Sequence, residues 1–169
     1  MDRKAWISGC SGTELTPDER AFFADERPWG FILFGRNVES AGQLTALCAS
    51  LQAFGDGPDL PIFIDQEGGR VRRLKPPMAR ALPAGQALGR VYEKDRQAGI
   101  AAARAHGRLL AADLRRYGIN ADCIPCLDLA FDGAHSVIGD RALSADPDAV
   151  SALGRAMAEG ALSLGVLPV

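Results

Sequence analysis

The stretch Ile62-Phe63-Ile64-Asp65-Gln66-Glu67-Gly68-Gly69-Arg70-Val71-Arg72-Arg73 sets an apolar triplet directly against a loop of charges and glycines. A short apolar run bounded by turn residues reads as a strand buried on both faces, the condition of a parallel strand covered by helices. In parallel α/β folds, functional groups collect where strands end and loops begin. From Asp65 to Arg73 the loop carries two carboxylates, a glycine pair and three arginines. An Asp at a strand end can accept hydrogen bonds from two neighbouring sugar hydroxyls, and an Arg donates several in a fixed fork. The competing reading is a set of acid–arginine pairs that pins a loop, and composition alone does not separate the two.

Upstream, Ala5–Ser8 reads as a first strand. Thr16-Pro17-Asp18-Glu19 reads as a helix start, with Thr as cap, Pro in the first turn and Glu closing a capping box. Gly30 ends that unit, and Phe31–Phe34 is a second strand. A helix from Ser40 to about Phe54 places Leu44, Leu47, Cys48 and Leu51 at helical spacing until Gly55, Gly57 and Pro58 break it. Downstream, Pro76, Pro77 and Pro83 predict a loop. A long helix is expected from about Lys94 to Tyr117, ended by Gly118. A fourth strand falls near Asn120–Ile124, a helix from about Pro147 to Leu164, and a fifth strand at Val166–Val169.

Alternating strands and helices mean α/β and one domain spanning 1–169. A doubly wound open sheet competes with a (β/α)8 barrel. Each unit takes roughly 30 residues, so a complete barrel of ~250 residues does not fit in 169. Composition alone favours the open sheet. The arrival at Val169 on a strand with no closing helix points instead to about half of a TIM-type barrel.

Hydrophobic residues make up 47% and charged residues 24%, as in globular proteins. A net charge of −2 argues against a general nucleic-acid binder, which needs a basic excess. No run approaches the ~20 apolar residues of a membrane span. Ile7-Ser8-Gly9-Cys10 resembles a lipoprotein processing box, but Ala5, Trp6 and Ile7 fall short of the roughly 7–15 apolar residues a secretory signal needs. The expectation is a cytoplasmic protein with reduced cysteines. Cys123-Ile124-Pro125-Cys126 lacks two further zinc ligands, and at a strand end residues three apart face opposite ways, so buried thiols are expected. Gly9-Cys10-Ser11-Gly12 satisfies no phosphate-loop or nucleophile-elbow pattern. Arg70, Arg72, Arg73 and Lys75 form a basic run of the kind usually solvated. No metal or cofactor is expected.

Taken singly, Val137-Ile138-Gly139-Asp140-Arg141 is a weak signal, since lone Asp-Arg neighbours on loops are usually solvated. In combination the motifs are specific. Asp65–Val71, Gly30–Asn37 ending in Phe-x-Arg-Asn, Pro125-Cys126-Leu127-Asp128 and Ile138-Gly139-Asp140-Arg141 occur in one order. That set resembles the hexosaminidase branch of glycoside hydrolase family three, over essentially the whole chain. The resemblance implies a (β/α)8-type barrel that removes terminal β-linked N-acetylglucosamine, in bacteria typically from peptidoglycan fragments during cell-wall recycling. It implies that Asp65, Arg73 and Arg141 contact the sugar. It gives Glu67, a tempting general acid or base, no such role, and Glu67 is read as a carboxylate that organises the loop. It also implies a Lys-His-Phe-Pro-Gly-His-Gly segment after strand five, then a His acid/base and a later nucleophilic Asp.

The sequence reaches Val169 ahead of that segment. The expectation is therefore a chain with no catalytic residue of its own, inactive alone. His106, mid-helix, and His135, before Arg141, are not expected to substitute. Open barrel edges predict self-association or pairing with a separate second half. A stand-alone carbohydrate- or nucleotide-binding module is the rival reading. A β-glucosidase-like member of the family is disfavoured by Asp65-Gln66-Glu67-Gly68-Gly69.

Overall fold

The computed structural model describes residues 3–57, 59–131, 133 and 135–169. In chain order the elements are β1 (Lys4–Ser8), α1 (Pro17–Glu26), β2 (Pro28–Leu33), α2 (Ala41–Gln52), β3 (Ile62–Ile64), β4 (Gln66–Gly68), β5 (Val71–Arg72), α3 (Gly85–Lys94), α4 (Arg96–Arg115), β6 (Ala121–Asp122), α5 (Pro147–Leu162) and β7 (Leu167–Pro168). Single 3-10 turns occupy Gly35–Asn37 and Gly139–Arg141.

Five strands form one parallel sheet in the order β1-β2-β3-β6-β7. The order runs one way across the sheet. A doubly wound sheet needs a switch point where the order reverses, so these strands are adjacent staves of a barrel wall. The strand registers show why the sequence chooses its faces. Phe31 pairs with Ile62 and Leu33 with Ile64. All four join Leu44, Leu51, Leu110, Leu114 and Leu153 in the buried layer between sheet and helices. On the opposite, inner face Ile32 pairs with Phe63, Phe63 with Ala121 and Ala121 with Leu167. Asp65 stands two residues beyond Phe63 on that same face, at the mouth of the barrel.

Helix starts follow their capping chemistry. The Thr16 hydroxyl accepts from the Glu19 N–H, and the Glu19 carboxylate accepts from the Thr16 N–H. Ser40 and Gln43 form a second capping box. Asp146 caps α5 ahead of Pro147.

The structure corrects three expectations. The single helix expected from Lys94 is preceded by a separate one, α3, in the stretch read as proline-rich loop. Asp95 separates them with extended backbone (φ −151°, ψ 109°), its carboxylate accepting from Gln97 and Ala98 N–H. The loop after β3 is the antiparallel hairpin β4–β5. The fourth strand is confined to Ala121–Asp122. Pro58, one of the expected helix breakers, lies outside the described residues. No described helix is long and apolar enough to cross a membrane.

Candidate functional site

The site is built on the hairpin that follows β3. Gln66 is buried at its base. Its Oε1 accepts from the N–H groups of Arg73 (2.8 Å) and Leu74 (2.9 Å), and its Nε2 donates to the Leu74 carbonyl (3.0 Å). The Gln66 N–H donates to Asp122 Oδ1 (2.9 Å), which ties the hairpin to β6. This closure brings Arg73 back over the end of β3, where Nη2 donates to Asp65 Oδ2 (2.5 Å). The turn needs its glycines. Gly68 and Gly69 have φ of +101° and +55°, and a Cβ at residue 68 would collide with the Pro83 carbonyl and press on the His106 ring.

Arg141 arrives from the other side, on the 3-10 turn between β6 and α5. Its Nε donates to Glu67 Oε2 (2.9 Å) and its Nη2 to Glu67 Oε1 (2.7 Å), a two-point pair between fork and carboxylate. The hydrogen bond and charge of Glu67 hold the Arg141 guanidinium above the usual arginine range. Arg70 binds the same loop further out, donating to Asp140 Oδ1 (2.9 Å) and to the carbonyls of Ser136, Val137 and Ile138.

Two thiols border the array. Burial, then the Asp65 carboxylate beside it, pushes the Cys123 thiol up to about 12, so it stays protonated. Burial also raises Cys126, which lies within electrostatic reach of Arg141 and Glu67. The strand that the expectation of opposite-facing thiols assumed ends at Asp122, ahead of both cysteines. On the Arg73 side, an open cleft of about 750 Å³ is lined by Phe34, Gly35, Val38, Arg72, Arg73 and Met78, among others. Beside Gly35 and Val38, buried Asn37 ties their turn to the loop after β1, its Nδ2 donating to the carbonyls of Cys10 (3.1 Å) and Gly12 (2.7 Å).

Asp65, Arg73 and Arg141 thus stand on one rim, joined by the hairpin. The run of basic residues is not a uniform solvated face, since Arg70 and Arg73 have specific partners. His106 is buried, and its Nε2 lies 2.8 Å from the Glu67 carbonyl, with burial pushing its pKa down. His135 is exposed, its Nδ1 accepting from the Val137 N–H (3.0 Å). Asp65, Glu67 and Asp140 are each engaged by an arginine. Among the described residues, no three His, Cys, Asp or Glu side chains are grouped to hold a metal. Sequence reasoning passed over Gln66 and Asn37. Their placement, one directly after a strand's Asp and one after Phe-x-Arg, was the available signal.

A sheet that is part of a barrel wall, with an acid–arginine array at its mouth, defines the class. The chain belongs to the glycosyl hydrolase family 3, whose N terminal domain profile matches residues 12–169. It is 42% identical over 156 residues to a beta-hexosaminidase of Thiobacillus denitrificans, covering 92% of this chain and 43% of that protein. It is 37% identical over 160 residues to a beta-hexosaminidase of Xanthomonas campestris pv. campestris, covering 95% of this chain and 47% of that one. Native NagZ from Neisseria gonorrhoeae superposes with a TM-score of 0.91 at 36% identity, over 98% of this chain and 48% of NagZ. A family 3 beta-N-acetylglucosaminidase from Paenibacillus gives 0.85 at 30% identity, over 96% of this chain and 30% of that enzyme. The chain spans less than half the length of the curated relatives it matches.

Proposed function

We propose that this chain is the N-terminal part of a β-N-acetylhexosaminidase barrel and holds a terminal β-linked N-acetylglucosamine through Asp65, Arg73 and Arg141. The natural setting is the cytoplasm, with muropeptides or other peptidoglycan fragments of cell-wall recycling as substrates. The observation that carries the reading is that Asp65 and Arg73, paired on one hairpin, share the rim of a family 3 barrel wall with Arg141, which comes from a turn far along the chain and pairs with Glu67 of that hairpin. Asp65 is the acceptor for sugar hydroxyls. The two arginines are the donors, fixed in place by their carboxylate partners.

Retaining hydrolysis needs a nucleophile on one side of the sugar and a proton donor near the leaving oxygen. Asp65 and Glu67 are neutralised by arginines, and His106 is buried against the hairpin backbone. These groups bind and organise, so the 169-residue polypeptide takes up sugar without turnover. Titration with N-acetylglucosamine, followed by amide NMR shifts, tests this. Asp65→Asn and Arg141→Ala are each expected to weaken binding about tenfold or more. A wild-type chain that ignores the sugar at every concentration defeats the reading. Cleavage of an aryl β-N-acetylglucosaminide by the pure chain overturns the assignment of no turnover.

A further inference from the structure

We infer that Glu67 is the positioning residue for Arg141, and that the pair leaves the outer Nη1/Nη2 edge of the Arg141 guanidinium as the edge it offers to the sugar. The inference deepens the proposed sugar site and rests on that reading for its ligand. The geometry has three parts. First, Glu67 is itself immobilised. Its side chain is 12% exposed. Its carbonyl lies 2.8 Å from His106 Nε2 on α4, and Gly68 after it is confined by Pro83 and His106. Glu67 therefore carries the position of the helix layer into the mouth of the barrel.

Second, Arg141 is not fixed by its own element. It sits on a single 3-10 turn, and the long side chain has rotamer freedom that only a partner removes. Glu67 takes the Nε and Nη2 edge of the guanidinium. Arg70, on the same hairpin, grips residues 136–138 and Asp140 just upstream, so the loop is held at two points.

Third, the choice of edge decides what Arg141 can still bind. Glu67 takes Nε–H and one Nη2–H, so the second Nη2–H and both Nη1–H groups remain to donate. Among the described residues, the further contact of Nη1 is a long 3.5 Å approach to the Val137 carbonyl. Carboxylates and phosphates are recognised best by two parallel N–H groups on one edge. The outer Nη1/Nη2 edge keeps such a pair of N–H groups, which serves two neighbouring sugar oxygens.

The test separates positioning from sugar binding. The Arg141 Nε–H resonance, assigned by its loss in Arg141→Lys, is expected to exchange slowly in wild type. In Glu67→Gln it is expected to exchange as fast as an exposed arginine, while the amide spectrum stays folded. An unchanged Arg141 Nε–H in Glu67→Gln overturns the inference, whether or not the sugar binds. If the wild-type chain does not bind N-acetylglucosamine, the sugar reading fails, and exchange still decides the positioning. If it binds, Glu67→Gln is expected to weaken binding roughly tenfold. Added to Arg141→Ala, it is expected to have no further effect. Full additivity in that double-mutant cycle means Glu67 acts independently of Arg141 and overturns the inference.

Discussion

Asp122 shows how far residue chemistry can be hidden in a sequence. In the sequence it is one residue of an expected strand, yet it is 0% exposed. One oxygen accepts from the Gln66 N–H, and Oδ2 has no partner among the described residues. Burial, with Asp65 and Glu67 nearby, raises its pKa well above the usual carboxylate value. A carboxyl whose folded pKa is raised favours the fold most below its unfolded value, about 3.9, and that contribution is lost as pH rises through the folded pKa. The wild-type chain is therefore expected to lose stability as pH rises above about 4. Asp122→Asn keeps an acceptor for Gln66 and removes the titration, so its melting temperature is expected to fall less over the same range. Parallel melting curves for the two proteins would show that Asp122 is not the group responsible. Asp65, Arg73 and Arg141 were legible because their charges stand in ordered motifs at strand ends. Asp122, Gln66 and Asn37 were not, because what makes each matter is a tertiary partner far along the chain.

Elements with strong local signals emerged where the sequence placed them. The capping boxes at Thr16 and Ser40 are chemistry within four residues of the chain. By contrast, α3 starts without a side-chain cap at Ala84 and is held by tertiary packing through Leu88 and Gly89. A reader of prolines alone carries the loop past it. The hairpin leaves little local signal for a related reason, since it is two residues long on one side and depends on Gln66. The most demanding element contact is the crossing of α4 and α5. A Cβ at Gly107 would run into the Met157 carbonyl, and one at Gly160 into the Arg104 carbonyl. Intrinsic helix propensity favours Ala over Gly by up to about 1 kcal/mol. Overpacking a tight contact costs about 1–3 kcal/mol. Packing is expected to win, so Gly107→Ala and Gly160→Ala should each lower stability by about 2 kcal/mol in denaturant unfolding. A neutral or stabilised variant would show that the two helices separate at little cost. The substitutions lie on one seam, so their combined effect is expected to be less than the sum.

At the scale of the molecule, the sheet has two edges, β1 and β7, each paired on one side among the described residues. Its inner face is apolar where a globular surface is usually polar. Ile7 pairs in register with Gly30, and Leu167 with Ala121, and both side chains are exposed, as are Trp29 and Val169. Edge strands beside uncovered apolar surface are templates for association. A net charge of −2 supplies little repulsion to oppose it. The isolated 169-residue chain is therefore expected to self-associate, with sedimentation coefficients that rise with concentration. A separately supplied second half of the barrel should compete with that association by covering the same face. Ile7→Lys offers a clean discriminator. The side chain is already exposed, so the core loses nothing, and a charge on the edge strand opposes pairing. It is expected to shift the chain toward monomer without lowering its unfolding midpoint in dilute solution. If wild type sediments as a monomer at every concentration, the inner face is self-sufficient. If Ile7→Lys associates as wild type does, contact is made elsewhere on the molecule, and the exposed staves are not what drives it.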